Sequence, residues 1–144
     1  MLFDSIANAK VELEPFEHIY IENVFLRSYY DELLANLPPD NIYQKTPYEN
    51  RLMIDVKELT TGFWNYAREW VFGDDFRDLV CDKFNITEPV VSHLRLIRDS
   101  SDYSIQVHTD LPSKLVSLLF YLPHDTSMLD FGTSIYTPKL TTLN

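Results

Sequence analysis

Hydrophobic and polar positions change their rhythm twice along this chain. Residues 1 to 14 hold no steady period and read as a leader. From Pro15 the run PFEHIYIENVF alternates, with Phe16, His18 and Tyr20 opposite Glu17, Ile19 and Ile21. Alternation of period two predicts a strand entering the domain. The rhythm then turns helical. Asn23 can cap a helix whose apolar positions are Leu26, Tyr30, Leu33, Leu34 and Leu37, and Pro38-Pro39 ends it. Residues 40 to 57 are polar and broken by Pro47 and Asn50, so they predict a long loop with a short strand near Arg51 to Val56. Thr60 or Thr61 caps a second helix with a face of Phe63, Tyr66, Ala67, Trp70 and Val71. Gly73 stops it. Asp74 or Asp75 caps a third, with Phe76, Leu79, Val80 and Phe84 inward and Asn85 as a C-terminal stop.

Beyond Pro89 the rhythm returns to two. In Val90 to Arg98, Val91, His93, Arg95 and Ile97 alternate with Val90, Ser92, Leu94 and Leu96. Asp99-Ser100-Ser101-Asp102 is a turn cluster. Tyr103 to His108 reads as the next strand, with Tyr103, Ile105 and Val107 facing one way and Ser104, Gln106 and His108 the other. Lys114 to Leu122 is apolar on both faces apart from Ser117 and Tyr121, as in a strand buried on both sides. Phe131 to Tyr136 is a last short strand before Pro138. Helices followed by at least four strands predict an α+β domain, with helices packed on an antiparallel sheet. No internal repeat or composition break divides the chain, so residues 1–144 read as one domain.

Composition narrows the function. With 45% hydrophobic and 24% charged residues the chain is an ordinary globular sequence, and its nine Tyr, nine Phe and two Trp argue against disorder. The net charge of −10 disfavours nucleic acid and anionic membrane surfaces as partners. No apolar run reaches transmembrane length, and the N-terminus lacks the pattern of a secretory signal. Cys81 is the single cysteine, sits in an apolar helical pattern and reads as a buried thiol. A reducing, cytoplasmic setting is the expectation.

The candidate chemistry lies in YSIQVHTDLPSKLVSLLFYLPHDTSMLDFGTSIYTPK, Tyr103 to Lys139. His108 and Asp110 stand two apart at a strand end, which aims an imidazole and a carboxylate at one side of the chain. These donors suit Fe(II) and make up two of the three ligands of a 2-His-1-carboxylate site. By itself a His-x-Asp pair is also what a surface turn with an Asp cap looks like. His18 reads as structural or exposed, and Lys114 and Lys139 as solvated, with a carboxylate partner the alternative.

Three motifs occur in order: Y-x-I-x-x-H-T-D, then K-L-V-S-L-L-F-Y-L-P, then G-T-S-I-Y-x-P. Together with the opening from Pro15-Phe16 to Asn23-x-Phe25, this run resembles the 2-oxoglutarate/Fe(II)-dependent oxygenases, closest to their prolyl-hydroxylase-like branch. The resemblance spans about Pro15 to Pro138. It implies the first half of a double-stranded β-helix, or jelly roll, over about 89–138, with a helical part over about 22–85. It implies a dioxygenase, a hydroxylase using Fe(II) with 2-oxoglutarate as cosubstrate on a small-molecule or peptidyl substrate. His108 and Asp110 match the first two metal ligands, and Tyr121 matches the tyrosine that hydrogen-bonds the distal carboxylate of 2-oxoglutarate. Ser117 shares a strand face with Tyr121 and is expected in the same pocket, and Tyr103 is a further candidate there.

The chain departs from the family pattern in one respect. The second His and the Arg or Lys that grips 2-oxoglutarate belong to later strands, and neither His93 nor His124 matches the distal position. The expectation is the N-terminal portion of an oxygenase domain. The alternatives are a site completed by a homo-oligomer or a complementing chain, and a non-catalytic half-jelly-roll that binds a partner.

Overall fold

The computed structural model describes residues 2–100, 103–128 and 132–137. The turn residues Ser101 and Asp102, Phe131 of the last predicted strand, and Pro138 and Lys139 lie outside the described residues. The fold is α+β, with four α-helices and a three-stranded antiparallel sheet among the described residues. In chain order the helices are α1 (Leu2–Asn8), α2 (Arg27–Ala35), α3 (Gly62–Val71) and α4 (Asp74–Lys83). The strands are β1 (Gln44–Lys45), β2 (Arg51–Asp55) and β3 (Arg95–Asp99), arranged β1-β2-β3.

The sheet forms early in the chain. The short strand expected near Arg51 to Val56 is β2, and the loop before it adds β1, joined to β2 by a turn in which Asn50 takes the left-handed backbone (φ 62°) that asparagine tolerates. The Thr46 hydroxyl accepts from the Tyr48 amide and donates to the Arg51 carbonyl, which closes that turn. β2 pairs with β3 from Arg51↔Asp99 to Asp55↔Arg95. The predicted alternation across β3 holds in part: Leu94 and Leu96 pack on the core, while Arg95 and Ile97 face solvent.

One core lies beneath this sheet. It holds Ile54, Val56, Leu59, Trp64 and Ala67, with Leu37, Tyr43 and Phe63 against it. The buried positions of α3 are Trp64, Ala67 and Val71, spaced i, i+3, i+7. The predicted face is therefore rotated: Tyr66 is 61% exposed and Trp64 is buried in its place. The Trp64 indole N–H donates to the Asn36 carbonyl at 2.8 Å, which satisfies its polar edge and ties α3 to the end of α2.

A second core forms between α1 and α4 around Ile6, Phe76 and Val80. Leu2–Asn8 of the leader thus form an α-helix, held by the Lys83 ammonium donating to the Ala7 carbonyl at 2.8 Å. α4 carries Asp74 and Asp75 in its first turn and Lys83 in its last, which suits the helix dipole. Asn85 ends it in the left-handed conformation (φ 53°), as its place in the sequence suggests. Trp70 of α3 meets Phe76 of α4 edge-on at 5.4 Å within this second core.

Several expectations change. The strand from Pro15 reduces to one isolated bridge, Glu12↔His18, because no strand among the described residues pairs with it. α2 starts later than predicted: Asn23 has φ 53°, Leu26 is the cap residue, and Leu26 itself is exposed. Asp74 lies inside α4 and Gly73 precedes it as the cap. Cys81 is half-buried. The strands expected at Tyr103 to His108, Lys114 to Leu122 and within 132–136 are not assigned among the described residues. In Lys114 to Leu122 only Val116, Phe120 and Leu122 are half-buried, and Leu115, Leu118, Leu119 and Tyr121 are exposed. An alternating sequence becomes a ladder only when a partner strand takes its amide and carbonyl groups.

Candidate functional site

The segment carrying the His-x-Asp pair is held at both ends. At its start, Tyr103 lies beneath the Arg51 guanidinium, 3.9 Å from the ring centroid. Arg51 in turn makes a two-pronged contact with Asp99, both prongs at 2.6 Å, across the directly opposed β2–β3 pair. That ion pair, with Arg51 largely covered, fixes the edge from which the segment leaves the sheet. At its far end Val116 packs on the second core, and Phe120 stacks at 5.5 Å on Phe25. The Tyr30 hydroxyl donates to the Pro123 carbonyl at 2.7 Å. Phe25, Tyr29 and Phe63 continue the aromatic row back into α3.

Between these anchors His108, Asp110, Lys114 and Ser117 lie exposed. The His108 ring meets the Gln106 carbonyl through Nδ1 at 2.8 Å. A carbonyl only accepts, so Nδ1 carries a proton, and in the neutral ring Nε2 is the nitrogen with the free lone pair. The same local arrangement recurs at His18, whose Nδ1 meets the Phe16 carbonyl at 2.8 Å, so it reflects the i−2 backbone geometry. Asp110 accepts from the Lys114 ammonium at 2.8 Å through Oδ1 and from the Ser117 hydroxyl at 2.5 Å through Oδ2. Lys114 and then Ser117 hold the Asp110 carboxyl below the usual carboxylate range, and the nearby His108 acts in the same direction. The carboxylate is thereby kept ionised.

The five predicted site residues separate into three places. His108, Asp110 and Ser117 share the loop, although Ser117 touches Asp110 and not Tyr121. Tyr121 is half-exposed, and its hydroxyl donates to the Thr133 hydroxyl. Tyr103 belongs to the Arg51 clasp, and its buried hydroxyl has no partner among the described residues. Lys114, read as solvated, pairs with Asp110; its i, i+4 position was the available signal. Thr133 and Arg51 carried no comparable signal, since each meets its partner only through the fold.

The donor set of His108 and Asp110, an imidazole nitrogen with a carboxylate oxygen, fits a borderline divalent ion such as Fe(II). Among the described residues no three His, Cys, Asp or Glu side chains stand together as a complete metal site. Among the described residues no helix is long and apolar enough to cross a membrane. Compared with family models, curated proteins and solved structures, the chain matches none.

Proposed function

We propose that this chain carries the first part of a non-haem Fe(II) and 2-oxoglutarate-dependent dioxygenase site, on a domain of jelly-roll type, acting as a hydroxylase. The observation that supports the reading most is the state of the His-x-Asp pair. Nδ1 of His108 is occupied by a carbonyl, which leaves Nε2 for a metal, and Asp110 is held ionised two residues on. Metal-binding histidines commonly fix their free nitrogen through such a backbone contact. Bound Fe(II) with 2-oxoglutarate would supply oxidative decarboxylation coupled to hydroxylation of a small-molecule or peptidyl substrate.

His108 and Asp110 would be two ligands. Tyr121, whose hydroxyl already meets Thr133, would offer a hydroxyl pair to the distal carboxylate of 2-oxoglutarate. Ser117 would steady Asp110 during metal binding rather than line the cosubstrate pocket. Lys114 competes with the metal for the same carboxylate, so it sets how readily the ion loads. The third ligand would come from beyond the described residues or from a second chain.

The exposed apolar positions around the loop favour a completing partner. Val107, Leu111, Leu115 and Leu119 are each about half or more exposed (69%, 66%, 49% and 59%) on a segment without assigned strands. The same feature supports the second reading, a non-catalytic half-jelly-roll that binds a partner chain. Equilibrium dialysis against Fe(II) under anaerobic conditions separates the two. Retained iron that is lost in His108→Ala and in Asp110→Ala supports the oxygenase. If both variants retain iron as the parent does, the ligand assignment is wrong.

A further inference from the structure

A cleft of about 490 Å³ opens where the turn after β2, the helices α3 and α4, and residues 90–92 meet. Its lining is Lys57, Arg68, Phe72 and Arg77 with Val90 and Val91, together with Ser92, and includes none of the residues of the His-x-Asp loop. Three cations converge here in a chain of net charge −10.

Their partners make the cleft unusual. Arg77 is already compensated, by Asp74 at 2.8 Å and Asp78 at 3.1 Å. Lys57 and Arg68 are not: neither makes an ion pair among the described residues, although acidic side chains outnumber basic ones by 22 to 12 along the chain. Arg68 is held by neutral groups only, donating to the Lys57 carbonyl at 3.1 Å and to the Asn65 side-chain oxygen. This holds the guanidinium at the cleft with no carboxylate among the described residues to compensate its charge. The Lys57 ammonium lies 5.3 Å from the Phe72 ring centroid, so an aromatic face and a cation stand side by side. Val90 and the 82% exposed Val91 add apolar surface to the lining.

We propose that this cleft binds an organic anion, a phosphate monoester or a carboxylate with an aromatic or branched apolar body. Arg68 and Lys57 take the anionic head, a planar donor beside a point charge. Phe72, Val90 and Val91 cover the body. The Asp74 and Asp78 carboxylates around Arg77 select against polyanions, which would bring a second charge close to them. Nucleic acid is disfavoured for the same reason.

The test is calorimetric titration of the full chain with phenyl phosphate, phenylacetate, inorganic phosphate and benzyl alcohol. The expected result is saturable binding of at least one of the two aryl anions, about tenfold or more tighter than inorganic phosphate or benzyl alcohol. The tighter of the two identifies the head group. Arg68→Gln and Lys57→Met should each weaken that binding about tenfold. Lys57→Met leaves the backbone carbonyl that Arg68 uses and keeps the apolar stem, so it loses the charge without disturbing the cleft. His108→Ala should leave the titration unchanged. The proposal is overturned if neither aryl anion binds, if inorganic phosphate binds as tightly, or if a folded Lys57→Met binds like the parent.

Discussion

Trp64 and Tyr66 lie two residues apart on α3, and exchanging which of them is cut back to alanine separates two registers of the same helix. The periodicity of the sequence places Tyr66 inward; the fold buries Trp64 to 4% exposure and leaves Tyr66 at 61%. Trp64→Ala removes a ring that meets Phe63 edge-on at 5.1 Å and an indole N–H that satisfies the Asn36 carbonyl. Large-to-small changes of this kind cost about 3–5 kcal/mol. With a urea slope of about 2 kcal/mol per molar, the unfolding midpoint should fall by roughly 1.5–2.5 M. Trp64→Phe keeps most of the ring but leaves the carbonyl without its donor, so a smaller loss of about 1–3 kcal/mol is expected. Tyr66→Ala, at an exposed site, should stay within about 0.5 kcal/mol. Urea denaturation followed by far-ultraviolet circular dichroism reads all three. Equal losses for Trp64→Ala and Tyr66→Ala would refute this register of α3 and the placement of the core beneath the sheet.

Two further substitutions test local geometry. At Gly73, between α3 and α4, an added Cβ would sit 2.9 Å from the Glu69 carbonyl oxygen, so Gly73→Ala should destabilise by about 1–3 kcal/mol. Gly62→Ala, with nothing within 4 Å, should not, and a thermal melt that shows equal effects contradicts the tight α3–α4 junction. At the loop, Asp110 has a lowered native pKa caused first by Lys114 and then by Ser117. A depressed carboxylate contributes stability that is fully present above its unfolded value of about 4 and is lost as pH falls through the native value. The pair is about half-exposed, so that contribution stays below about 1 kcal/mol. The combined variant Lys114→Gln, Ser117→Ala should return the Asp110 titration, followed by carbon-detected NMR, toward the ordinary range. An unmoved titration would show that these contacts do not form in solution.

What was legible in the sequence followed locality. α4, its Asn85 stop and the alternation of Leu94 and Leu96 depend on neighbours a few residues away, and the pattern carried them. On the face of α3 Ala67 and Val71 are buried as expected, and only the choice between Tyr66 and Trp64 fails, because both are large aromatics near the same stripe. The Asn36 carbonyl that receives the indole is far off in sequence and decides between them. β2 was legible as the short strand near Arg51 to Val56, whereas β1 hid in the polar stretch before Pro47, since a two-residue exposed strand has no apolar alternation. The α1 helix has little period of its own and is fixed by packing on α4. In the candidate site, His108 and Asp110 were legible because their i, i+2 spacing is local, and Lys114 could have been paired from its i, i+4 spacing with Asp110. Tyr103 was not: its place under Arg51 depends on a β2–β3 pairing that joins residues 48 apart.

The central claim is that His108 and Asp110 hold iron beside 2-oxoglutarate. An anaerobic titration of the purified chain with Fe(II) and 2-oxoglutarate, read through the visible metal-to-ligand charge-transfer band, tests it most directly. The account predicts a band that saturates near stoichiometric iron and vanishes in His108→Ala and Asp110→Ala, with the circular dichroism of both variants unchanged. A folded chain that gives no band, or a band that survives both substitutions, would contradict it.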